Sequence, residues 1–104
     1  VNLDSKIPFT IHYSHLAKEE LADLLRYVSD EFGLKSAKEV KTHFVQIIEQ
    51  ISLNPYQFPY FNKPKKIRKC VLSPQTTLYY SVADTRIELI SFRSNFKNPK
   101  TLNI

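Results

Sequence analysis

Glycine is nearly absent from this chain: Gly33 is the only one in 104 residues. Loops that cradle a nucleotide phosphate need several glycines, so that chemistry is excluded. Cysteine is equally scarce. A lone Cys70 can form no internal disulfide and joins no cysteine cluster for zinc, and a reducing compartment is the simpler expectation. No apolar run approaches the roughly 18 residues that span a bilayer. The first residues, Val1-Asn2-Leu3-Asp4, show neither the basic nor the apolar block of a signal peptide. The expected location is the cytoplasm, without membrane contact. There is no internal repeat and no low-complexity segment.

What is present fits one domain over residues 1–104, since domains cluster near roughly 100–150 residues. A chain of this length buries about two thirds of its unfolded surface, enough for a core without disulfides or metals. Hydrophobic residues make up 42% and aromatics 12%, which points to a packed globule instead of a disordered tail. The net charge is +5, and its placement is more informative than its size. Residues 1–52 hold eight acids and six bases, for −2, whereas residues 53–104 hold nine bases against Asp84 and Glu88, for +7. An acidic partner is expected to meet the second half. Charge alone does not separate a nucleic acid from an acidic protein, or either from a solubilising surface.

The stretch Ile7-Pro8-Phe9-Thr10-Ile11-His12-Tyr13 alternates apolar and polar side chains, the period of a half-buried strand. At Ser14 the period changes. Ser14 serves as an N-cap, and Leu21, Leu24, Leu25, Val28 and Phe32 form one helical stripe that Gly33 ends. A second helix is expected from a capping box, Ser36-Ala37-Lys38-Glu39, with Val40, Phe44, Ile47, Ile48 and Ile51 as its stripe and Asn54-Pro55 as its stop. Only Gly33, Leu34 and Lys35 separate the two, so the helices must fold back on each other. Residues 54–64 contain Pro55, Pro59 and Pro64 among Tyr56, Phe58, Tyr60 and Phe61, and read as a stiff surface crossing. Its rings serve either as a base-stacking platform or, more commonly, as staples to the core. Three strands follow, Lys66–Leu72, Thr77–Val82 and Arg86–Phe92, joined by short turns into an antiparallel meander. The expectation is an α+β fold: a strand, a helix hairpin, then the meander, with both helices on one face of a single sheet of about four strands.

That element order carries a resemblance, together with Tyr13-Ser14-His15-Leu16-Ala17, Glu20-Leu21, Asn54-Pro55, Ile67-Arg68-Lys69, Tyr80-Ser81-Val82 and Ile87-Glu88-Leu89-Ile90. In this order and spacing, across about residues 6–102, the chain resembles the RelE/ParE superfamily of type II toxin–antitoxin toxins, also called plasmid stabilisation proteins. The resemblance implies a toxin held inactive by an acidic, partly disordered antitoxin. It also implies either docking to a target such as DNA gyrase, or ribosome-dependent cleavage of mRNA; a degenerate toxin fold serving as a binding module is a third reading. No cofactor is implied.

In the nuclease branch, basic side chains act on the open sheet face. Arg68, Lys69 and Arg93 are the candidates here, since a guanidinium can clamp a phosphate and stabilise charge that builds during cleavage. Lys65, Lys66, Arg68, Tyr79, Arg93 and Lys97 are the candidates for contact with a target or nucleic acid. Many relatives carry arginine at the place aligned with Thr77 and a second near Phe96; neither is present. Alternation leaves open which face Arg68 and Lys69 take. Tyr80 shares parity with Leu78 and Val82 and is expected in the core, with Tyr79 on the open face. Cys70 reads as a small buried hydrophobe. His12, His15 and His43 have no carboxylate or cysteine at a ligand spacing, and no metal site is expected.

Overall fold

The computed structural model describes residues 7–94. Its elements are β1 (Thr10–Tyr13), α1 (His15–Phe32), α2 (Leu34–Leu53), β2 (Tyr60–Asn62), β3 (Ile67–Ser73), β4 (Thr76–Ala83) and β5 (Arg86–Ser94). The five strands form one sheet in the order β1-β5-β4-β3-β2. The meander β3-β4-β5 is antiparallel, and Tyr80 lies opposite both Arg68 and Leu89. β1 joins the far side of β5 in parallel, Thr10 facing Arg86 and Tyr13 facing Leu89. A parallel neighbour needs a long crossover, and here every other element lies between the two strands.

Ser14 caps α1 as its sequence predicts: its side chain accepts from the Ala17 N–H at 2.9 Å. Its hydroxyl also donates to the Ile90 carbonyl at 2.8 Å, tying the helix start to β5. Gly33 ends the helix at φ 97° and ψ 161°, a backbone region that is essentially glycine's own. That one residue is the whole connection. α2 therefore begins at Leu34, ahead of the expected capping box. Ser36 lies inside the first turn, where its hydroxyl donates back to the Phe32 carbonyl at 3.1 Å, and no side chain caps the N-terminus. Phe32, counted in the apolar stripe, is exposed at this tip.

Two further expectations are corrected. The first strand starts at Thr10, because the Phe9 N–H is already bonded to the Ser52 carbonyl at the end of α2. The crossing at residues 54–64 contains β2, a short edge strand, so the sheet has five strands; proline is tolerated beside an edge strand, where a missing donor breaks no ladder.

One apolar cluster lies between the helices and the sheet. Leu24 and Val28 of α1 and Phe44, Ile48 and Ile51 of α2 meet Cys70, Leu72, Leu78, Tyr80, Ile87, Leu89 and Phe92. Tyr80 is fully buried, and its hydroxyl donates to the Pro55 carbonyl at 2.7 Å. A buried hydroxyl costs stability without such a partner. Burial also raises the pKa of both Tyr80 and Cys70, the thiol to about 11.

Candidate functional site: the uncovered sheet face

The register settles which side chains share the face away from the helices. Leu78 pairs with Cys70 and Phe92, all in the core, so the residues one step along point the other way. Tyr79 lies opposite Lys69 and Ser91, and Thr77 opposite Val71 and Arg93. This face, which no other element among the described residues covers, sets Lys69 on one side of Tyr79 and, one pair further on, Arg93 on the other. Val71 beside them is 64% exposed. Tyr79 is only 9% exposed, with the Phe61 ring packed edge-on against it, centroids 4.8 Å apart. That burial raises the Tyr79 pKa, and the nearby Arg93 charge partly offsets the rise.

At the β5 edge of this face the Arg93 Nη1 donates to Glu20 Oε2 of α1 at 3.0 Å. Glu20 was not legible as a partner from the sequence, because it lies 73 residues away from Arg93. Phe61 was missed as well: its contact with Tyr79 depends on β2, which the proline content concealed.

Arg68 takes the opposite side. It pairs with Tyr80 and reaches under the 54–60 segment, donating to the Phe58 carbonyl at 2.7 Å and the Tyr56 carbonyl at 3.3 Å. Its guanidinium lies 4.1 Å from the Tyr60 ring centroid and 5.3 Å from that of Tyr56. The crossing is thus stapled to the core by Arg68, Tyr80 and the half-buried Phe58. Lys65 and Lys66 are exposed in the turn between β2 and β3, Lys66 with φ 58°. Lys97 lies outside the described residues. From Gln50 to Ala83 the chain has no carboxylate at all, so Lys63, Lys65, Lys66 and Lys69 form a surface of one sign.

The parallel pairing also brings together two groups from opposite halves of the chain. His12 faces Glu88 across β1 and β5, with Nε2 3.9 Å from Oε2, and Arg86 lies 3.5 Å from the same carboxylate. His15 pairs with Glu19 at 2.7 Å on the surface of α1, and His43 Nε2 donates to the Leu72 carbonyl at 3.0 Å. Among the described residues no group of three or more His, Cys, Asp or Glu side chains is placed to hold a metal, and no helix is long and apolar enough to cross a membrane.

This is the sheet-and-hairpin architecture of RelE/ParE-like folds, and known structures share it. A chain of the chromosomal ParDE TA system from P. aeruginosa superposes with a TM-score of 0.72 at 11% identity, covering 83% of this chain and 95% of that one. A chain of the E. coli DinJ-YafQ toxin-antitoxin complex gives 0.57 at 14% identity, over 85% and 93%. A copper-bound mutant toxin from Helicobacter pylori gives 0.56 at 19%, over 84% and 94%. No protein-family model matches the sequence, and no curated protein matches it significantly. The likeness is therefore one of fold.

Proposed function

We propose that this chain is the toxin of a type II toxin–antitoxin pair and acts by docking its uncovered sheet face onto an essential protein with an acidic surface, such as DNA gyrase. The observation that carries the reading is the make-up of that face. Lys69 and Arg93 flank a buried tyrosine, and Val71 and Phe61 are exposed beside it. Cations around exposed apolar side chains suit a protein interface, where rings and arginines anchor and a polar rim excludes water. Among the described residues no register neighbour of Tyr79 or Thr77 is a histidine or carboxylate, and the one carboxylate that touches Arg93, Glu20, is already engaged by Ser91, Phe92 and Arg93, an arrangement that favours docking over proton abstraction. An arginine remains protonated and cannot serve as a proton acceptor. The cognate antitoxin is an acidic, partly disordered protein that covers the basic half.

One observation favours a second reading. His12 beside Glu88 is a histidine–carboxylate pair near the same face, and a ribosome that oriented mRNA across it would give a RelE-like endonuclease. Expression of the chain alone in a bacterium separates the readings. The docking reading expects growth arrest with mRNA intact in a translating extract, no cleavage of naked RNA, and about tenfold weaker arrest for Lys69→Ala or Arg93→Ala, the size of one lost charged contact. Codon-positioned cuts that His12→Ala abolishes would establish the nuclease, and harmless expression would leave only a binding module.

A further inference from the structure

β1 stops at Tyr13 while β5 continues to Ser94, so beyond Leu89 no strand among the described residues lies beside the outer edge of β5. α1 closes this edge. The Ser14 N–H donates to the Leu89 carbonyl at 3.0 Å and the Ser14 hydroxyl to the Ile90 carbonyl. Glu20 takes the next position: its Oε1 accepts from the Ser91 hydroxyl at 2.6 Å and the Phe92 N–H at 3.1 Å. Capping the strand needs no more than this one oxygen, and a neutral amide oxygen would suffice. The other oxygen is committed to Arg93, whose side chain is 28% exposed beside a Glu20 side chain at 16%. A long cation on a sheet face ordinarily samples many rotamers. A guanidinium is a rigid planar fork, so a short charge-assisted bond at Nη1 anchors one end of it and narrows the rotamers the whole group can sample.

We propose that Glu20 is a positioning residue: it holds the Arg93 guanidinium at the β5 edge of the uncovered face, set to meet an anionic group of the docked target. The inference rests on the reading that this face docks. Because Glu20 acts through Arg93, the two side chains are one functional unit contributed by a helix and a strand. The alternative, in which Glu20 merely caps a strand edge, predicts a loss of stability and no particular link to Arg93.

Glu20→Gln tests the difference. Its amide oxygen still accepts from Ser91 and Phe92, while its amide nitrogen cannot accept from Arg93. Induced growth arrest is compared for wild type, E20Q, R93A and the double variant, with thermal unfolding of each. The expected result is that E20Q weakens arrest about tenfold, as R93A does, that the double variant is no worse than R93A, and that the E20Q midpoint stays within a few degrees of wild type. Full arrest by E20Q alongside impaired R93A overturns the proposal, as do losses that multiply in the double variant or an R93A indistinguishable from wild type. If wild type itself fails to arrest growth, the docking reading has failed, and the Arg93 Nε–H NMR signal decides the positioning. It should be restricted in wild type and mobile in E20Q, and identical signals overturn the proposal.

Discussion

Arg68 illustrates how far a single residue can be read without its neighbours. Alternation along β3 allows either Arg68 or Lys69 on the uncovered face, because apolar residues share both parities; only pairing with Tyr80 decides. The structure gives Arg68 two carbonyls and two rings, so Arg68→Ala should destabilise the fold by about 2 kcal/mol or more, from lost charged hydrogen bonds and ring contacts. Urea denaturation measures this directly, and an unchanged midpoint would refute the staple. Cys70 makes a prediction about pH. Its thiol is held at about 11 against an ordinary 9.0. Between those values the folded chain keeps a proton that the unfolded chain has lost, so stability present below pH 9 is lost as pH rises toward 11. Tyr80, also raised by burial, adds to the same slope at higher pH. The urea midpoint should fall between about pH 8 and pH 10.5, and Cys70→Ala, weaker at the lower pH, should fall less steeply.

At the scale of elements, both helices, the meander and the core stripes were legible, because each rests on a periodicity that local sequence carries. Starts and edges were less so. Two serines look alike as caps, yet Ser14 accepts from Ala17 and bonds to β5, whereas Ser36 is inside a helix that Gly33 has already begun. Ser14→Ala should therefore cost about 1–2 kcal/mol, and Ser36→Ala about 0.5 kcal/mol or less; parallel thermal melts test the contrast. β2 was hidden for a related reason. Prolines at 55, 59 and 64 argue against a central strand, and three residues at an edge are too few for a period to show. The Lys69–Tyr79–Arg93 grouping was half legible: the family resemblance suggested Lys69 and Arg93 and strand alternation suggested Tyr79, but facing and the Glu20 contact come from tertiary pairing alone.

On the whole molecule, the segregation of charge becomes a surface. Lys63, Lys65, Lys66 and Lys69 occupy the β2–β3 hairpin without a carboxylate from residue 50 to residue 83, while Glu20 and most other acids lie on the helices. A partner that covers this hairpin should bind with affinity that falls about tenfold or more between about 50 and 500 mM salt, as exposed charges are screened. Titration calorimetry against the acidic partner proposed above would show it, and salt-independent binding would place the interface on the helices instead. The parallel closure of the sheet has a consequence in time. Thr10 finds Arg86, and Ser14 finds Ile90, only across 76 residues of chain. During synthesis the earliest strand has no partner until the latest one has left the ribosome, and α1 waits for the same strand to fill its face. The loop to be closed is 76 residues long, the slow kind of contact. The sheet, and with it the Lys69–Tyr79–Arg93 face, is therefore complete only once β5 has been made, which places the assembly of that face among the last steps of folding.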